Sequence, residues 1–200
     1  QLPAATTKAI ARHLAANIIR APAGRAPAAG ARPARLNPKE KVPVHANGAK
    51  EESPELNRIR ELREILAYGL ESGIGVGHSL GITLESVERG RTVYTLTPSP
   101  ATANAIYTVH GGVLATLMDT AMGSAIFTEL ADGVLYTTLE LKVNFIRPVK
   151  LDGDQLSCEG RTINIGKRTA LAEARVVDPA GKLIAHGTST CMLTRPADAA

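Results

Sequence analysis

Val113-Leu-Ala-Thr-Leu-Met-Asp-Thr-Ala-Met-Gly-Ser-Ala-Ile-Phe127 is the densest apolar run in the 200-residue chain. It has the length and the residue types of an α-helix and is apolar nearly all round, so the pattern predicts a buried central helix. A membrane span is excluded, because the run is short of the roughly 20 residues required and carries Asp119 near its middle.

Outward from this helix the pattern changes to strands. Residues 136–146, 155–165, 168–178 and 182–193 read as strands separated by turns at Leu151-Asp-Gly-Asp154, Gly166-Lys167 and Pro179-Ala-Gly181. Connections this short join antiparallel neighbours. Upstream, residues 81–88 and 91–97 form a hairpin around Glu88-Arg89-Gly90, and residues 98–108 are a loop. Ser53-Pro54-Glu55 supplies a capping hydroxyl, a first-turn proline and an early acid. It opens a helix with Leu56, Ile59, Leu62 and Leu66 on one stripe, ended by Gly69 or Gly73. Parallel βαβ units are absent. The economical solution is an α+β domain over residues 53–195, a curved antiparallel sheet wrapped around one long central helix, with 196–200 as a short C-terminal tail.

Residues 1–52 are a different kind of polypeptide, with 15 Ala, six Pro and no aromatic residue. Nine of the 23 Lys and Arg but one of the 19 Asp and Glu fall in residues 1–50, so that segment carries +8 and the remainder −4. One helix over residues 7–19 fits the spacing of Ile10, Leu14 and Ile18; beyond it, recurrent prolines block helix and sheet alike. The expectation is a disordered or partly helical extension acting as a solvated tail. An organelle-targeting segment and an anionic-surface arm are the alternatives. A nucleic-acid partner is not expected, since the basic charge lacks interleaved aromatics. The domain itself is expected in the cytoplasm. Cys158 and Cys191 have neither the number for a disulfide framework nor metal spacing, and His13, His45 and His186 add no ligand cluster.

Three groups of residues could carry chemistry. Asp119 is a carboxylate in an apolar helix, costly unless paired or hydrogen-bonded, and no Lys or Arg lies within four residues of it. Its partner must come from elsewhere in the chain or from another subunit; a structural acid capping a backbone amide is the plainer reading. His110-Gly111-Gly112 precedes the helix, where free N–H groups and the helix dipole suit an anion or oxyanion. Gly111 and Asp119 are eight residues apart, roughly 12 Å along a helix, so one chain's Asp119 does not serve its own Gly111. Gly77-His78-Ser79-Leu80-Gly81 matches the GxSxG elbow of serine hydrolases, but a strand rather than a helix follows and no parallel sheet frames it. With Gly73 and Gly75 it reads as a loop. Lys167-Arg168 is either a solvated turn or a contact for an anionic ligand.

Asn104-x5-His110-Gly111-Gly112-x6-Asp119, followed by Thr137-Thr-Leu-Glu-Leu-Lys-Val-Asn-Phe-Ile-Arg-Pro148, resembles the hotdog-fold acyl-CoA thioesterases of the phenylacetate-degradation, PaaI-like type. Gly166-Lys167-Arg168 and Asp178-Pro-Ala-Gly181-Lys-Leu-Ile-Ala185 fit the same pattern, over about residues 54–194. The resemblance implies a homodimer, often a homotetramer, with active sites at the subunit interface and an acyl-CoA substrate, CoA being part of that substrate and no cofactor or metal being needed. It implies Asp119 as general base or nucleophile, the Gly111 amide with Gly112 polarising the thioester carbonyl, and Asn104 holding the nucleophile or that carbonyl. His110 would orient the loop and Thr138 would position water. Gly166, Lys167, Arg168, Asn144 and Arg147 would be contacts for CoA. The same fold also carries acyl-thioester dehydratases and hydratases, which pair a His with an acid further along the helix, where this chain has Ser124. A non-catalytic acyl-CoA-binding protein would use the same pocket.

Overall fold

The computed structural model describes residues 54–195. The helix expected over residues 7–19, the Ala/Pro-rich segment, Ser53 and residues 196–200 lie outside the described residues.

The first helix, α1 (Pro54–Ser72), leads through a short helix, α2 (Val76–Leu80), into the hairpin β1 (Ile82–Glu88) and β2 (Arg91–Leu96). The central helix α3 (Gly111–Phe127) follows, and then β3 (Leu135–Phe145), β4 (Leu156–Ile165), β5 (Thr169–Val177) and β6 (Leu183–Thr194). All six strands form one antiparallel sheet in the order β1-β2-β4-β5-β6-β3. The expected sheet wrapped around a helix is therefore present. One reading needs correction: residues 76–80, read as loop, form α2, closed by Gly81 in the left-handed conformation (φ 69°). One turn of helix is too short to show a hydrophobic period.

The sheet curves around α3 because the residues beneath the helix are small. Along β5, Ala170, Ala172, Ala174 and Val176 point inward and are buried, alternating with exposed Leu171, Glu173 and Arg175. On β4, Gly160 meets the helix backbone; a Cβ there would lie 2.5 Å from the Ala121 carbonyl, so only glycine permits this approach. Leu117, Met118, Ala121, Met122, Ala125 and Ile126 of α3 are completely buried in the resulting core. Each such large side chain contributes about 1.5–3 kcal/mol by leaving water. Polar groups that must enter the core are bonded across it: Thr92 Oγ1 donates to the Ala121 carbonyl and Tyr94 Oη shares a hydrogen with Ser124 Oγ, both at 2.8 Å. Burial pushes the Tyr94 phenol up to about 12, the Ser124 bond opposing it in part.

One stripe of α3 is less well covered. Gly112, Ala115, Thr116, Asp119 and Thr120, at helical spacing, are exposed or half-buried, whereas every residue from Ala121 to Thr128 is buried. Strand β3 borders that stripe and is an edge strand, paired among the described residues only with β6. Its Leu135, Leu139 and Phe145 are exposed.

Candidate active site

Asp119 finds its hydrogen-bond partner on β3 of its own chain. Thr138 Oγ1 donates to Asp119 Oδ1 at 2.9 Å, and the same hydroxyl lies 3.9 Å from Cys191 Sγ on the neighbouring strand. Thr138 faces the helix because β3 alternates, and just after it the strand bulges at Leu139, shifting register between Thr138 and Glu140. Tyr136 precedes Thr138 on the same face and packs edge-on against Phe127, ring centroids 6.4 Å apart. Burial pushes the Tyr136 phenol far up, and the neighbouring Tyr94, Cys191 and Asp119 push it in the same direction. It is neutral throughout the physiological range. The sequence reading passed over Tyr136, although alternation from Thr138 was the signal that could have found it.

The N-terminus of α3 is built by its own residues. His110 is the N-cap; its Nδ1 accepts from the Gly112 N–H at 2.8 Å, so the ring carries its proton on Nε2 when neutral. The His110 carbonyl accepts from Val113 and Leu114. The Gly111 N–H has no acceptor within the described residues, and it points out of the helix end as an available donor. A Cβ on Gly111 would approach the Phe145 ring to 3.1 Å, so that aromatic edge walls the donor on one side.

Asn104 constructs the loop before the helix. Its Oδ1 accepts from the Ile106 and Thr108 amides, both at 3.0 Å, and its Nδ2 donates to Thr108 Oγ1 at 2.8 Å. One amide hydrogen remains for a ligand. Asn104, Thr108, Val109, Gly111, Leu114 and Phe145 line a cavity of about 320 Å³ beside the helix end, with Arg147 at its rim. Arg147 is tied to the Leu183 carbonyl.

The candidate residues thus fall into two groups. Asn104, His110, Gly111, Gly112 and Arg147 gather at the Phe145 end of β3, whereas Asp119 and Thr138 sit toward its Leu135 end. Gly166, Lys167 and Arg168 form the β4–β5 turn beside the end of β6, since the Arg168 carbonyl accepts from Leu193 N. They are therefore near the Asp119 end. Asn144 lies in neither group: between the inward Val143 and Phe145, it shares the outer face with Lys142 and His186. A larger cavity, about 480 Å³, opens on that outer face between Arg91, Glu159 and Arg175, remote from α3. Burial opposes ionisation of Glu159, yet bonds from Arg161 and Arg91 outweigh it and hold the carboxyl below its usual range. This is an ion-pair cluster on a sheet face, with no feature of a reaction site.

The other candidate groups are not assembled into a site among the described residues. Ser79, the would-be nucleophile of GxSxG, stands on the exposed α2 and gives its hydroxyl hydrogen to the Gly75 carbonyl at 3.3 Å rather than to a base. Both thiols are buried, and burial pushes Cys158 up to about 12. Among the described residues no group of three His, Cys, Asp or Glu could hold a metal ion, and no helix is long and apolar enough to cross a membrane.

An antiparallel sheet rolled around one long helix is the hotdog fold. The Thioesterase superfamily model matches residues 107–185. Human acyl-coenzyme A thioesterase 13 is 33% identical over 112 residues, 54% of this chain and 77% of that protein. The acyl-coenzyme A thioesterase PaaI of Escherichia coli is 27% identical over 119 residues, 60% of this chain and 82% of the relative. Its solved structure superposes with a TM-score of 0.60 over 71% of this chain and 96% of that one, at 23% identity. A Halobacterium salinarum relative is 35% identical over 86 residues, which are 42% of this chain and only 55% of that protein. The chain belongs to the thioesterase superfamily, whose members are thioester hydrolases.

Proposed function

We propose that the protein hydrolyses an acyl-CoA, with a medium-chain or aryl acyl group, to the free acid and CoA in sites shared by two subunits. One observation carries the reading: the available Gly111 amide and the Thr138-bonded Asp119 lie on one helix, too far apart to act on a single carbonyl, beside a strand edge that is unpaired among the described residues. Antiparallel pairing of β3 with its copy would bring the Phe145 end of one subunit to the Leu135 end of the other. Gly111 would then face Asp119 of the partner subunit. A homodimer is the smallest active unit, and two dimers build a homotetramer.

In such a site the thioester oxygen receives the Gly111 N–H, assisted by the remaining Asn104 amide hydrogen, while Gly112 and His110 hold the helix end in place. Asp119 takes a proton from water as the water oxygen attacks the carbonyl carbon. Alternatively its carboxylate attacks directly, and water then cleaves the anhydride. Collapse of the tetrahedral oxyanion breaks the C–S bond, and the CoA sulfur leaves with the proton. Thr138 keeps the carboxylate aimed. Val109, Leu114 and Phe145 give the acyl group an apolar wall. Arg147, together with Gly166, Lys167 and Arg168 of the partner subunit, suits the phosphates of CoA; Asn144, on the outer face, is the weakest of the CoA contacts. The reaction needs no cofactor.

A free-thiol assay across a panel of acyl-CoAs tests this. Asp119→Ala should lower kcat at least about 100-fold, the lower range for loss of a general base. Undiminished turnover in the variant would refute the assignment. Binding without turnover in the wild type would instead make the protein an acyl-CoA-binding module.

A further inference from the structure

We infer that Tyr136, seated against Gly123, is the positioning residue that sets the Thr138–Asp119 hydrogen bond; the inference rests on the catalytic reading of Asp119. Two inward residues of β3, Tyr136 and Thr138, stand over two positions of α3 one turn apart, Gly123 and Asp119. The Tyr136 ring meets the helix at Gly123. An ideal Cβ there would lie 2.6 Å from both the Tyr136 hydroxyl oxygen and its Cε2, and 2.9 Å from Cζ. Real side chains do not approach so closely, so the phenol rests on bare helix backbone.

The ring cannot readily yield. It is held edge-on by Phe127, one further turn along α3, and the Arg58 guanidinium lies 4.0 Å from the centre of that Phe127 ring. Tyr136 and Thr138 also belong to one unbroken stretch of ladder, opposite Leu193 and Cys191, which ends at the Leu139 bulge. Lifting Tyr136 therefore lifts Thr138, while the bulge frees the rest of β3 from following. The 2.9 Å bond has little slack: an added ångström takes it past hydrogen-bonding range. Gly123 and Tyr136 act as a spacer whose thickness decides whether the catalytic carboxylate is held.

The test adds one methyl group and then removes the obstruction it meets. Gly123→Ala, assayed as the full chain, should lose at least about tenfold in kcat with KM within about twofold, as a misplaced catalytic group does. Gly123→Ala with Tyr136→Leu restores the space and should return kcat to within about threefold of wild type. Tyr136→Phe alone keeps the ring and should retain turnover. A folded Gly123→Ala enzyme with wild-type kcat, a folded double variant without recovery, or a Tyr136→Phe enzyme as impaired as Gly123→Ala would each overturn the spacer. If Gly123→Ala does not fold, the double variant must still fold and turn over at that restored rate. Full activity in Asp119→Ala would remove the underlying catalytic reading; an inactive Asp119→Ala beside a fully active Gly123→Ala would remove the spacer alone.

Discussion

Tyr107 has φ 60°, the one left-handed residue other than glycine among the described residues, and its ring is 80% exposed. The cause is Asn104, whose side chain and backbone close the turn so tightly that position 107 has no other conformation: Tyr107 N donates to the Asn104 carbonyl at 3.1 Å, and Asn104 N to that of Thr108 at 2.8 Å. A left-handed conformation costs an L-residue about 1–2 kcal/mol, and glycine gives back about 0.5–1 kcal/mol through chain entropy. Tyr107→Gly should therefore stabilise the chain by about 0.5–1 kcal/mol in urea unfolding. A loss of stability would show that the ring makes a contact between subunits. Of the site, Asp119 was legible because a carboxylate in an apolar run demands an explanation, and Gly111 because glycine before a helix leaves its amides open. Thr138 was legible only through the family resemblance: nothing in a single strand says which hydroxyl meets which acid. Tyr136 was legible only as the same-face neighbour of Thr138, and its seat on Gly123 was not, because a close approach between elements distant in the chain leaves no periodic trace.

The elements were read more fully than their irregularities. Strict alternation in β5 and the apolar density of α3 exceed any competing local preference, so both were legible within a residue or two. In β2 the alternation blurs because Val93 and Thr95, on the outer face, are also buried, by neighbours across the ladder. The register shifts in β1, β3 and β4 each insert one residue and change which face follows. The apolar stripe of α1 was visible in Ile59, Leu62 and Leu66, but its strongest anchor is polar. Arg58, 4% exposed, donates to the Val134 carbonyl at 2.9 Å and to Glu61 at 2.6 Å, and stacks on Phe127. Arg58→Ala should cost about 3–5 kcal/mol in chemical denaturation, since it strands the largely buried Glu61 as well as the carbonyl. Replacing Arg58 and Glu61 together by leucine should cost much less. Equal losses in the two variants would mean that packing on Phe127, and not the charge, fixes α1.

At the scale of the whole molecule, the separation of Gly111 from Asp119 makes a prediction that no single-chain site shares. In the proposed dimer each subunit offers an amide end and an acid end, and each active site takes one of each from different chains. An Asp119→Ala subunit keeps a good amide end. A Gly111→Val subunit keeps a good acid end, with its amide end obstructed where a Cβ would already crowd Phe145 at 3.1 Å. Either variant alone should be inactive. Unfolded together in equal amounts and refolded, half the dimers would be mixed and one of the two sites in each would be intact, so roughly a quarter of wild-type activity should return. Sites built within one chain would return none, because every chain in the mixture is defective. Sedimentation distinguishes the remaining case: recovery must track the dimer, and an active monomer would exclude the shared site. The half-open stripe around Asp119 and the edge of β3, unpaired among the described residues, would together form the surface that the proposed second copy completes.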